Sequence, residues 1–428
     1  MKRTAYKNLL EWKKNTNRKP LIIKGARQVG KTWLMKEFGK NEYENILYIN
    51  FENKKPLQEL FKLDFDINRI LLALSIETGI DAKPEKTLII FDEIQEAERG
   101  LTSLKYFHEE APEYHVIAAG SYLGIFLNQN NSFPVGKVDF LNLEPLSFNE
   151  FLMANEQSKL LKLIEQEEWD LIKVFKNKYI ELLKLYYFVG GMPEVVQSFI
   201  TNKDADKLRR IQKNILLSYE HDFSKHAPIS IVPRIKMVWD SIPAQLSKEN
   251  KKFIFGLIKK GARAKDYELA IEWLVGNGLI KKVFRVNKPG LPLSSYADIS
   301  AFKIFVLDIG LLGAMSDLDK HSIIKGNSIF EEFKGALSEQ YVFQQIKNGI
   351  VYYWSSVNSI GEIDFLIQKE NKIIPIEVKA EENLKAKSLK FFCRKYKNQN
   401  AIRTSMSDYR KEDWLVNIPL YAINLKVI

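Results

Sequence analysis

A single cysteine, Cys393, stands in 428 residues. A lone thiol excludes an internal disulfide and any thiolate metal cluster, so a reducing cytoplasm is the expected compartment. Long apolar runs are missing as well. The longest, residues 304–315, is short and broken by Asp308, and no membrane-spanning helix is expected. The start spreads Tyr6, Leu9, Leu10 and Trp12 among lysines and lacks the apolar core of a signal peptide. Histidine is scarce, at five residues. His221 and His226 flank Asp222, but they fall about 140° apart around a helix with no third strong ligand near, so a helix end is favoured over a zinc site. No internal repeat or low-complexity tract is present.

Positive charge is plentiful. Lysine and arginine number 64 against 53 acidic residues, a net charge of +11. That excess suits contact with nucleic acid or another polyanion, and a general lysine bias produces it equally well. The length calls for two to four domains.

The most specific stretch is Gly25-Ala26-Arg27-Gln28-Val29-Gly30-Lys31-Thr32. It fits G-x-x-x-x-G-K-[ST], in which glycines let backbone N–H groups approach phosphates, the lysine reaches the terminal ones, and the hydroxyl ligates magnesium. Leu21-Ile22-Ile23 before it reads as a strand, and Trp33 to Phe38 after it reads as a helix. These residues, Trp33 included, are therefore expected to bind ATP. A second apolar strand, Leu88-Ile89-Ile90-Phe91, ends in Asp92-Glu93. Asp92 is expected to hold magnesium together with Thr32, and Glu93 to polarise the attacking water. A third strand ends at Gly120-Ser121, where Ser121 either orients water near the γ-phosphate or caps the next helix. The basic group for the transition state is expected from a neighbouring subunit of a homo-oligomer or another domain. Lys137 is the best placed, with Arg27 and Arg99 as substitutes; a lysine lacks the planar fork of arginine, so slow hydrolysis is anticipated.

The expected fold class is multidomain α/β. Residues 1–150 read as a parallel-sheet P-loop core with strands at Leu21–Ile23, Leu47–Phe51, Leu88–Phe91, Val116–Ala119 and Phe140–Leu143. Ser147-Phe148-Asn149-Glu150 has capping-box spacing, and residues 151–248 read as a helical lid or adaptor, with Tyr186, Tyr187 and Phe188 as core. Residues 249–325 suggest a winged helix, from helices at Phe253–Lys260 and Tyr267–Val275 and a strand leading to Lys288-Pro289-Gly290. Its second helix carries Asp266, Glu268 and Glu272, which favours a protein partner over DNA in a major groove. Residues 326–428 read as a separate α/β unit, with helices at Phe330–Lys347 and Leu384–Lys395 and strands that include Ala401–Ser405 and Tyr421–Val427.

Together, the loop, Phe91-Asp92-Glu93-Ile94-Gln95, Ala119-Gly120-Ser121 and Pro145-Leu146-Ser147-Phe148 resemble the prokaryotic AAA-type ATPases that carry a C-terminal domain of unknown function. The likeness runs on through Gly190-Gly191-Met192-Pro193-Glu194, Gly261-Ala262-Arg263-Ala264 and Asp308-Ile309-Gly310. It implies an AAA-like core, a winged helix and a nuclease-like tail, and relatives usually carry arginine where Lys137 stands.

In the tail, Asp364 opens one strand and Glu377-Val378-Lys379 lies on the next. Alternation puts Glu377 and Lys379 on one face, and the hairpin brings Asp364 beside them. Glu339 on the preceding helix is a further acidic ligand. The pattern resembles the PD-(D/E)xK, or restriction-endonuclease-like, fold, with Ile363 in place of the proline. Asp364, Glu377 and Glu339 are then expected to bind Mg²⁺ or Mn²⁺, with Lys379 activating water for DNA cleavage. A salt-bridged hairpin that does not cut carries the same residues. Lys385, Lys387, Lys390, Arg394, Lys395, Lys397 and Arg403 beyond it would suit a phosphate backbone or a solvated helix face.

Overall fold

The computed structural model describes residues 1–121, 134–248, 252–320, 323, 328–346, 349–356, 361–382 and 386–423. Lys385 and the end of the strand expected at Tyr421–Val427 lie outside them. The chain forms two compact units, Met1–Pro145 with Gly276–Leu279, and Leu146–Val275 with Ile280–Ile428.

The first unit is built on five strands: β1 (Leu21–Lys24), β2 (Asn45–Asn50), β3 (Thr87–Asp92), β4 (His115–Ala119) and β5 (Asp139–Asn142). All neighbours are parallel, in the order β2-β3-β4-β1-β5. Every residue of β3 and β4 is buried, as strands covered on both faces require. Phe91 meets Phe51, Phe61 and Phe107 at ring separations of 5.6, 6.0 and 5.9 Å. Each such buried ring contributes about 1.5–3 kcal/mol. Parallel pairing brings the carboxyl ends of β1, β3 and β4 to one edge of the sheet, where ligands bind in open α/β folds.

The second unit joins helices to a mixed eight-stranded sheet. Ser147 caps the helix Phe148–Ala154: its side chain accepts from the Glu150 N–H while the Glu150 carboxylate accepts from the Ser147 N–H. The helical segment packs on the sheet's own elements, through stacked Trp169–Tyr409 and Tyr179–Tyr421 with ring centroids 4.2 and 4.9 Å apart. Tyr186, Tyr187 and Phe188 are buried in it. The glycine pair Gly190-Gly191 and Asp308 meet here. Asp308 accepts from the Gly191 N–H at 2.6 Å, the Leu311 N–H at 3.1 Å and Gln344 Nε2 at 3.1 Å. A Cβ on Gly190 would lie 2.2 Å from Asp308 Oδ1, and its φ of +72° is itself glycine-favouring. Both motifs thus serve a buried polar joint.

Three expectations are corrected. The helix read at Phe253–Lys260 is only a 3₁₀ turn, Phe255–Leu257, since Gly256 and Gly261 with β-branched Ile254 and Ile258 favour helix weakly. The helix that follows forms at Ala264–Gly276. The strand read as a wing, β6 (Ile280–Val286), pairs antiparallel with β7 (Ala297–Val306) but also in parallel with β8 (Val351–Ser355). Its hairpin is the edge of the C-terminal sheet, order β12-β13-β11-β10-β9-β8-β6-β7, and not a free wing. The six residues Ala301–Val306 are all buried, a surface that a wing in solvent could not cover. The remaining strands are β9 (Glu362–Lys369), β10 (Lys372–Val378), β11 (Ala401–Ser405), β12 (Arg410–Lys411) and β13 (Leu415–Pro419). Residues 421 and 422, expected in a strand, belong to a 3₁₀ turn, Leu420–Ala422.

Candidate active site

The phosphate loop leaves β1 and enters the helix Lys31–Glu42. Gly30 caps that helix at φ +94°. Gly25 passes so close to β5 that a Cβ would lie 2.3 Å from the Leu143 carbonyl, which is why only glycine fits there. The ammonium of Lys31 is buried and donates to the carbonyls of Gly25 and Ala26, both at 2.9 Å, with Ser121 Oγ 3.5 Å away. Burial pulls it down to about 8, while the charges of Glu93 and Asp92 hold it up.

Thr32 and the end of β3 meet directly. Thr32 Oγ1 donates to Asp92 Oδ2 at 2.7 Å, and the Tyr48 hydroxyl donates to the same oxygen at 3.0 Å. Asp92 is 2% exposed, and its Oδ1 is buried with no hydrogen-bond partner. Burial raises its carboxyl above the ordinary range, against the pull of the Thr32 and Tyr48 bonds. A hydroxyl beside a carboxylate with one uncommitted buried oxygen is a hard-oxygen pair that fits magnesium.

Glu93 follows at φ +51°, in the left-handed region. Its Oε1 accepts from Ser121 Oγ at 3.0 Å; its Oε2 accepts from the Ser121 N–H at 3.2 Å and Gln95 Nε2 at 2.6 Å. The bonds of Ser121 to Glu93 are neither of the two roles read for it, and the helix it was expected to cap lies outside the described residues. Trp33 is 43% exposed on the helix that follows the loop. Lys137 does not point at this edge: it bridges Glu109 at 2.9 Å. Arg99 lies over the Phe65 ring at 4.3 Å and donates to the Lys62 carbonyl.

One residue was missed. Arg3 is 7% exposed, donates to the Val29 carbonyl inside the loop at 2.9 Å, and reaches the Glu144 carbonyl at 2.5 Å. An arginine 26 residues upstream carries no motif, and only the fold brings it to the loop.

The acidic residues of the second unit gather differently from expectation. Asp364 Oδ2 accepts from the Val378 N–H at 2.8 Å, and Glu377 pairs with Lys379 at 2.7 Å. The antiparallel register of β9 and β10, with Ile376 against Phe365, carries on to set Glu377 across from Asp364. The unforeseen member is Lys303 on β7, fully buried. Its Nζ contacts Glu362 Oε1 and lies 3.6 Å from Glu339 Oε2 and 4.0 Å from Asp364 Oδ1. Burial pushes the Asp364 carboxyl up, with Glu339 adding to the rise and Lys303 opposing it. Among the described residues no group of three or more His, Cys, Asp or Glu side chains is arranged to hold a metal ion. The expected metal set Asp364, Glu377 and Glu339 does not form such a group. Arg403, expected on a basic surface, is 3% exposed and donates to Asn417 Oδ1 at 2.9 Å.

A parallel sheet with this loop and acidic strand end defines a P-loop ATPase domain of the AAA type. The family comparison agrees: residues 17–152 match the model of the AAA domain, and residues 180–322 and 334–423 match two domains of unknown function, DUF8612 and DUF4143. No curated protein matches the chain. Among solved structures it is similar to a Walker-type ATPase of Pyrococcus abyssi at 16% identity and TM-score 0.43, covering 73% of this chain and 94% of that one. It is also similar to AMPPCP-bound DnaA from Aquifex aeolicus, at 16% identity and TM-score 0.30, covering 64% and 86%. Orc1 of Aeropyrum pernix in complex with DNA follows at 12% identity and TM-score 0.29, covering 73% and 91%. Likenesses this distant carry nothing about function. Among the described residues no helix is long and apolar enough to cross a membrane.

Proposed function

We propose that the chain is a Mg²⁺-dependent ATPase whose nucleotide state controls a nucleic-acid-binding C-terminal region. The observation that carries the first half is the Thr32–Asp92 bond of 2.7 Å, with Lys31 and Glu93 on either side of it. The loop N–H groups and Lys31 would bind the ATP phosphates, and Thr32 and Asp92 would hold magnesium, which would neutralise charge on the phosphates. Glu93 orients and polarises the attacking water, and Ser121 fixes the Glu93 carboxylate. Both Glu93 oxygens already accept hydrogen bonds and Lys137 is tied to Glu109. The Glu93 carboxylate keeps a lone pair for water, but Lys137 must leave Glu109 to act on a neighbouring copy. That favours slow, switch-like hydrolysis. Phosphate release that requires Mg²⁺ and vanishes in Lys31→Ala tests the site; turnover unchanged in that variant would refute it.

Two adjoining clefts around the helix Lys387–Tyr396 support the second half. One, of about 570 Å³, is lined by Lys390, Arg394, Lys397, Asn398 and Trp414, and the next adds Lys372 and Tyr396. Neither lining contains an acidic residue. Four cations beside two aromatic rings suit the phosphates and bases of a single strand. Fluorescence anisotropy with labelled single-stranded DNA should show binding that weakens with salt and is lost in Lys390→Glu/Arg394→Glu; equal binding by that variant would remove this surface.

A further inference from the structure

The acidic site of the second unit carries its own cation. We propose that the Lys303 ammonium fills the position expected for a divalent metal, and that Glu339, Glu362 and Asp364 form a closed ion cluster that takes neither Mg²⁺ nor Mn²⁺.

Geometry supports this from several directions. Lys303 is 0% exposed, so its charge is held inside the protein and cannot be exchanged for a solvent ion. Its Nζ lies within 4.0 Å of a carboxylate oxygen from each of three residues on two elements: Glu339 on the helix Ser328–Gln345, and Glu362 and Asp364 at the head of β9. The Tyr353 ring lies 5.0 Å from the same ammonium and closes another side. Both Asp364 oxygens are engaged, Oδ1 facing Lys303 at 4.0 Å and Oδ2 accepting from the Val378 N–H. Glu377, the remaining expected ligand, is paired with Lys379 through Oε1, its Oε2 being buried without a hydrogen-bond partner, and it is not among the three carboxylates around Lys303. Magnesium demands six oxygens in near-ideal octahedral array. A dication here would sit against a buried ammonium, in a medium that screens the repulsion poorly. Three carboxylates around one ammonium instead satisfy the rule that buried charges are paired.

The experiment uses the full chain with Thr32→Ala and Asp92→Asn, so that the nucleotide site no longer takes metal. Mn²⁺ is titrated and bound ion is counted by electron paramagnetic resonance. No Asp364-dependent Mn²⁺ is expected at millimolar concentration. Adding Lys303→Met should create one Mn²⁺ site per chain, removed again by Asp364→Asn. One Mn²⁺ bound with Lys303 intact and lost in Asp364→Asn would overturn the proposal. A folded Lys303→Met chain that binds no Mn²⁺ would overturn the claim that the ammonium stands in the metal's place. Should Lys303→Met fail to fold, by circular dichroism, the chain with Lys303 intact decides alone. ATP turnover of the parent is read separately and does not enter this outcome.

Discussion

Replacing Glu93 by glutamine separates nucleotide binding from hydrolysis. The side chain keeps its shape, and its surroundings can adapt: the amide oxygen can accept from the Ser121 N–H and Gln95, while the new NH₂ donates to Ser121 Oγ, a hydroxyl that rotates to accept. The fold should therefore lose less than about 1 kcal/mol. Turnover should suffer far more, because a positioned general base contributes about 10²–10⁴-fold, or roughly 2.7–5.5 kcal/mol of barrier. A second effect follows from Lys31. The Glu93 charge is the largest of those holding its ammonium protonated near 8, so in Glu93→Gln that value falls and ATP binding weakens at a lower pH than in the parent. The assay is Mg²⁺-dependent phosphate release beside equilibrium binding of labelled ATP, both at pH 7. Loss of release with binding retained is expected. Release within threefold of the parent would refute the role given to Glu93.

Lys31 itself sets a pH limit. With its folded value near 8 against an ordinary 10.5, the unfolded chain binds more protons between those values, so stability contributed by this group rises with pH across the window. ATP affinity runs the other way and should fall above about pH 8 as the ammonium deprotonates, whereas Lys31→Arg should show no such fall; titrations from pH 7 to 9.5 read both. Arg3→Ala strips a charged donor from two carbonyls, at about 1.5–3 kcal/mol for each bond to a charged group, so the melting temperature should drop by several degrees and KM for ATP should rise. Unchanged KM would leave Arg3 with a purely structural part. Asp308→Ala leaves two buried backbone N–H groups unmatched, removes one partner of the half-buried Gln344 amide, and should destabilise the second unit by roughly 3 kcal/mol, measured by urea denaturation. Asp308→Asn, which keeps one acceptor, should cost less.

The sequence by itself determined the ATPase domain almost completely. Gly25–Thr32 is contiguous, its flanks reveal strand and helix by local pattern, and Asp92-Glu93 is announced by the buried strand it ends. The capping box at Ser147 and the β9–β10 turn are equally local. What only the tertiary structure decided are pairings between distant parts of the chain. The register of β6 against β8 turned an expected wing into a sheet edge, because strand partners are chosen by long-range hydrogen bonding and burial that no local periodicity encodes. Arg3 reached Val29, and Gly190 met Asp308, through the same long-range closure. The acidic hairpin was legible as residue types on a face. Its meaning was not, since the ammonium that neutralises it comes from Lys303, 36 residues before the first of its carboxylates and on a different strand. A motif names which charges can meet; only folding shows which charge has already filled the space among them.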